Sequence, residues 1–160
     1  MIRIKKELIE SLTEAARRSS RKRMNYNLHK SMDENVQRFF NAFETDSYVR
    51  PHRHIQPDRF ELFLCIRGKG AAIIFDDDAN ITDTSILSPE GECIGVEIPD
   101  NTWHTIIALS PDTVFFEVKE GPYMPIEDKD FAPWAPDAAD PVHVDYLKNL
   151  REAILLRTGN

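Results

Sequence analysis

His52-Arg53-His54, then Glu61-Leu62-Phe63-Leu64-Cys65-Ile66-Arg67-Gly68, and later Gly95-Val96-Glu97-Ile98-Pro99-Asp100-Asn101-Thr102-Trp103-His104 are the stretches from which the fold is read. Side chains at i and i+2 leave an extended strand on one face, so His52 and His54 can present two imidazoles to one point. Glu61 follows seven residues after His54, and a further strand, entered through Pro99-Asp100-Asn101, supplies a third imidazole at His104. Three neutral imidazoles and a carboxylate suit a divalent iron, manganese, nickel, zinc or copper ion, with room for water or substrate.

Around these motifs the period is that of an all-β barrel or sandwich. Short β-branched and aromatic runs cover Ser47–His54, Arg59–Arg67, Ala71–Phe75, Ile81–Leu87, Ile94–Ile98, Trp103–Leu109 and Thr113–Val118. Gly68-Lys69-Gly70, Asp76-Asp77-Asp78, Ser88-Pro89-Glu90-Gly91, Pro99-Asp100-Asn101 and Ser110-Pro111-Asp112 separate them as turns, and antiparallel hairpins connect them most simply. Upstream, Ile4, Leu8, Leu12 and Ala16 mark an amphipathic helix over about Lys5 to Arg18. Ser31 and Glu34 form a capping-box pattern, and Val36, Phe39, Phe40 and Phe43 then recur at i, i+3, i+4, i+7, which predicts a second helix over Met32 to Phe43. Downstream, half of the ten prolines fall between Pro122 and Pro141, a stretch expected to lie extended on the barrel. A last helix is expected from Tyr146 to Leu156, capped by Asp145 and burying Leu147, Leu150 and Ile154.

The two histidine-bearing stretches resemble the paired signature motifs of the cupin superfamily. More narrowly, the chain resembles the WbuC-type cupin-fold metalloproteins through Arg23–His29, Tyr48–His54, Glu117–Pro122 and Asp130–Pro136. The resemblance implies an all-β core folded as a double-stranded β-helix (jelly-roll) barrel, with N-terminal helices and a C-terminal helix. It makes one domain of an N-terminal helical segment (1–45), a cupin barrel (46–120) and a Pro-rich tail with helix (121–160). It also implies that His52, His54, Glu61 and His104 hold one divalent transition metal ion per chain. Two departures stand out. The run from His54 to Glu61 is longer than in the general motif, which makes Asp58 a rival carboxylate, although Glu61 would share the inward face with Phe63 and Cys65. Asn101 stands where the motif has glycine, and Asn is among the few residues that accept a left-handed backbone.

His29 and Glu117 are candidate catalytic groups that would move a proton beside the metal, with a packing role the alternative for His29. Arg17, Arg18, Arg21, Lys22 and Arg23 place five positive charges in seven residues. They form either a solvated helix end or an anion clamp in which Arg21, Arg23 or Arg38 holds a phosphate or carboxylate. Nucleic acid is not the expected partner, because removing those five charges from the net −7 leaves −12 on the rest of the chain. His143 is expected to be exposed, and Trp103 and Trp134 to anchor core or tail. Cys65 and Cys93 make no disulfide framework.

Without an apolar leader or a stretch of ~18 uncharged apolar residues, the chain reads as cytoplasmic and not membrane-bound. The first helix's apolar stripe suggests a homodimer. The activity implied by resemblance is metal-dependent isomerase- or epimerase-like work on a small polar substrate, such as a sugar or sugar-nucleotide intermediate of bacterial surface polysaccharide (O-antigen) biosynthesis. An iron-dependent dioxygenase and a non-catalytic metal and small-ligand binding module are the alternatives.

Overall fold

The computed structural model describes residues 1–55, 59–122 and 131–157. The elements in chain order are α1 (Lys6–Arg18), β1 (Arg23–Asn27), β2 (Val36–Phe43), β3 (Glu61–Arg67), β4 (Gly70–Phe75), β5 (Ile81–Leu87), β6 (Gly95–Ile98), β7 (Trp103–Ala108), β8 (Thr113–Glu120) and α2 (Val142–Arg157). A five-stranded sheet in the order β1-β2-β8-β3-β6 faces a three-stranded sheet in the order β5-β4-β7. Every strand pairing within these sheets is antiparallel.

The segment expected to be a helix over Met32–Phe43 is instead the strand β2, and β1 precedes it. Their pairing makes residues up to 43 part of the sheet rather than a purely helical N-terminal segment. The misleading periodicity has a physical cause. Phe40 and Ala42 pack on α1, while Phe39, Asn41 and Phe43 line the interior on the other side. A strand covered on both faces is apolar on both, and its run then fits a helical template as well as an alternating one. Ser31 and Glu34 do not make the reciprocal capping-box bonds; their side chains accept from other backbone N–H groups in a turn. Asp33 N donates to Ser31 Oγ (3.1 Å) and Lys30 N to Glu34 Oε1 (2.7 Å).

The other expected strands are present within a residue or two, except that Ser47–His54 is chain outside the named strands, with isolated bridges at His52. Gly68 takes a left-handed φ of 76°, which lets Gly68-Lys69 turn the chain from β3 in one sheet to β4 in the other. Gly95 has a different reason to be glycine: a Cβ there would lie 2.4 Å from the Phe63 carbonyl oxygen, where β6 pairs with β3.

Leu12 and Ala16 of α1 are buried against Phe40, Ala42 and Val114, so the stripe from which a second copy was inferred is covered within the chain. Ile4 stays exposed. In α2, Leu147, Leu150 and Ile154 are buried as expected, but the helix begins earlier, and Asp140 accepts from Val142 N (3.0 Å) in the capping role expected of Asp145. Chain 131–136 lies on the barrel, with Ala132 N donating to Pro51 O (2.9 Å) and Tyr48 Oη to Pro136 O (2.8 Å). Trp103 and Trp134 join the core there, and Cys65 is buried in the barrel interior. His143 is half-buried, stacked on Tyr48. Among the described residues no helix is long and apolar enough to cross a membrane.

Candidate metal centre

His52 and His104 form an isolated antiparallel bridge, each backbone N–H donating to the other's carbonyl at 3.0 and 2.9 Å. Mutual bonding of this kind sets the two backbones side by side and their side chains on one face. Their ring centroids are 4.5 Å apart. Each imidazole is then oriented by its own backbone: His52 Nδ1 lies 3.0 Å from Arg50 O and His104 Nδ1 2.7 Å from Thr102 O. A carbonyl only accepts, so both Nδ1 atoms carry the proton; His52 Nε2 is left as a lone-pair donor, and His104 Nε2, which faces the Glu61 carboxylate at 2.9 Å, becomes one when a cation takes the place of a proton between them.

His54 is brought in by the following turn, where Asn101 N donates to His54 O at 3.0 Å. Asn101 holds a left-handed φ of 51°, as its place in the motif required. Glu61, the first residue of β3, completes the group. Its Oε2 lies 2.9 Å from His104 Nε2 and its Oε1 3.3 Å from His54 Nε2. One ligand atom from each of His52, His54, Glu61 and His104 falls within a span of 4.8 Å. The rival Asp58 lies outside the described residues.

Two features fit the group to a divalent ion. His54 Nε2 is buried without a hydrogen-bond partner, and a cation at the centre of the cluster would satisfy it. His52 is neutral at ordinary pH, because burial, then the neighbouring His104, lowers its pKa to about 3. Burial alone would raise the pKa of Glu61, but the Lys119 ammonium at 3.1 Å and the adjacent His104 and His54 rings outweigh it and hold the carboxylate well below its usual range.

Lys119 was not anticipated from the sequence. It lies two residues beyond Glu117 on β8, so the alternation that turned Glu117 inward turned Lys119 inward too. The pairing register aligns Lys119 with Glu61 on one side and Gln37 on the other, and Glu117 with Phe63 and Phe39. Glu117 Oε1 is 3.6 Å from Lys119 Nζ, and Glu117 Oε2 accepts from Asn41 Nδ2 at 2.5 Å. Burial, then the Glu61 charge, pushes the Glu117 carboxyl up to about 8.

These groups line a cavity of about 380 Å3 between the sheets. His29 and Arg23 also line it. Arg21 and Arg38 do not: Arg21 is exposed, and Arg38 pairs with Glu34 at 2.5 Å. The rest of the basic cluster is tied down locally, with Arg17 bound to Asp112, Arg18 3.7 Å from Glu14, and Lys22 Nζ donating to Arg17 O at 3.0 Å. Gln37 and Asn41 escaped the sequence reading because residues 32–43 were read as a helix, and Asn25 and Asn27 because no strand was expected over Arg23–Asn27.

Two facing antiparallel sheets with this histidine-bearing mouth make the molecule a cupin-fold protein. A family model described as a domain of unknown function, DUF6016, matches residues 4–87, and the chain belongs to that family. No curated protein matches the chain. Among solved structures it is similar to KdgF from a Halomonas species, with a TM-score of 0.50 and 17% identity, covering 64% of this chain and 82% of that one. It is similar to a recombinant oxalate oxidase in complex with glycolate, with a TM-score of 0.50 and 13% identity, over 66% of this chain and 54% of that one. A cupin 2 domain-containing protein from Halorhodospira halophila is similar with a TM-score of 0.49 and 15% identity, over 81% of both chains. Likeness at these identities describes the fold.

Proposed function

We propose that the protein is a metal-dependent enzyme in which His52, His54, Glu61 and His104 hold one divalent transition metal ion and the adjoining cavity takes a small polar substrate. The single observation that carries this reading is the convergence of four ligand atoms within 4.8 Å, with two imidazoles already turned to offer Nε2. When bound, the ion supplies Lewis acidity that polarises a carbonyl or hydroxyl oxygen.

The remaining chemistry belongs to the chain. Lys119 holds Glu61 ionised and in place through its 3.1 Å contact. Glu117, raised to about 8, holds a proton at neutral pH at a carboxyl that faces the cavity and can return it to substrate. Asn41 fixes the orientation of that carboxyl. Phe39, Phe43 and Phe63 wall the cavity with apolar surface that limits water around the reacting group.

A sugar or sugar-nucleotide intermediate of bacterial surface polysaccharide is the substrate suggested by the resemblance of Arg23–His29, Tyr48–His54 and Glu117–Pro122 to WbuC-type cupins. The test is turnover of such intermediates by the metal-loaded protein. His104→Ala is expected to abolish turnover with the circular dichroism spectrum retained, and unchanged turnover by that variant overturns the scheme. Iron-dependent dioxygen uptake with a candidate substrate would replace isomerisation by oxygenation. Thermal stabilisation by a ligand that is never consumed would replace the enzyme by a binding module.

A further inference from the structure

The cavity has a second wall, built from the inward face of β1 and the two residues beyond it. Arg23, Asn25, Asn27 and His29 alternate along this stretch and all line the cavity. Each carries N–H donors. Asn25 Nδ2 donates to Asn27 Oδ1 at 2.7 Å, which leaves both N–H groups of the Asn27 amide for another partner. Arg23 gives one N–H to the Tyr48 carbonyl at 2.5 Å, and among the described residues no carboxylate pairs with it.

The tautomer of His29 follows from its neighbour. His29 Nδ1 lies 3.1 Å from both the N and the O of Arg38; Arg38 O already accepts from Leu28 N at 2.8 Å, so it is the Arg38 N–H that needs Nδ1. A peptide N–H needs an acceptor, so Nδ1 offers its lone pair and Nε2 carries the proton. His29 is 7% exposed, and its Nε2 is, among the described residues, the one cavity-lining side-chain atom buried without a partner. The same cavity is lined by Met32, a flexible side chain that is 47% exposed.

Charge adds direction. Even with both Glu61 and Glu117 ionised, Lys119 and Arg23 offset them among the cavity-lining groups, so a divalent ion leaves the cavity with at least two formal positive charges in excess. The sheet order places two strands, β2 and β8, between this wall and Glu61 on β3, roughly 14 Å of backbone at ~4.8 Å per strand spacing.

The geometry points to an oxyanion subsite on β1: Arg23, Asn27 and His29 bind the carboxylate or phosphate of a small ligand whose other end reaches the His52, His54, Glu61 and His104 group. This deepens the proposed function and rests on its cavity, but it assigns His29 as a hydrogen-bond donor to the ligand rather than as a proton carrier.

The test is isothermal titration of the full chain, metal-free and zinc-loaded, with inorganic phosphate, malonate and the neutral polyol glycerol. The wild type is expected to bind phosphate or malonate but not glycerol, more tightly with zinc. Whichever of phosphate and malonate binds more tightly identifies the anion. His29→Phe and Arg23→Gln are each expected to weaken the binding about tenfold, with His29→Gln retaining part of it. Unchanged affinity in both variants, or glycerol binding as tightly as the anions, overturns the proposal. If a variant fails to fold, nitrogen-15 spectra of the wild-type histidine rings decide: His29 Nε2 must carry the proton and shift on addition of the anion, and an unprotonated or unmoved Nε2 overturns it. Zinc uptake in the same samples keeps the two readings apart, because weakened anion binding in protein that takes up no zinc defeats the metal centre and leaves the subsite standing.

Discussion

His52 N donates to His104 O at 3.0 Å and His104 N donates to His52 O at 2.9 Å, so the two residues that open and close the sequence motif are joined directly through their backbones. The imidazoles they carry are therefore positioned by the fold before any ion arrives. Pre-organisation of this kind lowers the ordering cost of binding.

Zinc in excess is accordingly expected to raise the unfolding free energy of the protein, by about 2.7 kcal/mol when free zinc is a hundredfold above its dissociation constant. Chelation should reverse the gain, and Glu61→Gln should reduce it. Thermal melts with and without a chelator measure both. A wild-type melt indifferent to zinc contradicts the arrangement.

Lys119 stands between two buried carboxylates, 3.1 Å from Glu61 and 3.6 Å from Glu117. Replacing it by Met leaves both acids without that cation. The metal-free Lys119→Met variant should lose about 3 kcal/mol of stability, the usual range when one partner of a buried pair is removed. Zinc should restore part of this by neutralising Glu61. Urea unfolding of both forms checks the difference.

Two groups in the metal-free site pull stability in opposite directions with pH. His52, with an ordinary pKa of 6.5 lowered to about 3 by burial and His104, contributes stability above 6.5 that is lost as pH falls toward 3. Glu117, raised from 4.5 to about 8 by burial and Glu61, contributes stability below 4.5 that is lost as pH rises through 8. Gln mimics the protonated acid. Glu117→Gln should therefore be more stable than the wild type at pH 8, on the order of 1–3 kcal/mol, and show no such gain at pH 4. Urea titrations at the two pH values decide it, and a gain of equal size at both would assign the effect to packing instead.

The metal group was legible because its spacing is local. The i, i+2 pair His52 and His54, the inward phase of Glu61 and the turn before His104 are all set by short-range strand and turn rules. The opposite wall was not legible. Reading β2 as a helix scattered Gln37, Phe39 and Asn41 around a cylinder, whereas the pairing Phe39↔Glu117 and Gln37↔Lys119 gathers them on one inward face. That register depends on contacts across some eighty residues of sequence, which no local pattern encodes. The positions of Arg21 and Arg38 were misjudged for a related reason: the sequence shows a cluster of charge, while the partners that occupy or expose each member are set by the tertiary fold.

The packing of α1 on the five-stranded sheet predicts its own outcome. Leu12 is 6% exposed and lies against Phe40, Ala42 and Val114, so Leu12→Ala should cost about 2–4 kcal/mol by cavity formation while leaving zinc stoichiometry unchanged. Urea unfolding gives the first quantity and elemental mass spectrometry the second.

The most direct test of the metal centre is a count of metal per chain. Untagged protein purified under low oxygen and without chelators is measured by elemental mass spectrometry beside a His52→Ala, His104→Ala double variant. The expected result is close to one transition metal ion per wild-type chain and almost none in the variant, with iron directing attention to oxygen chemistry and zinc, nickel or manganese to Lewis-acid chemistry. Equal metal in the two proteins, or a wild type that stays empty after reconstitution, would contradict the account.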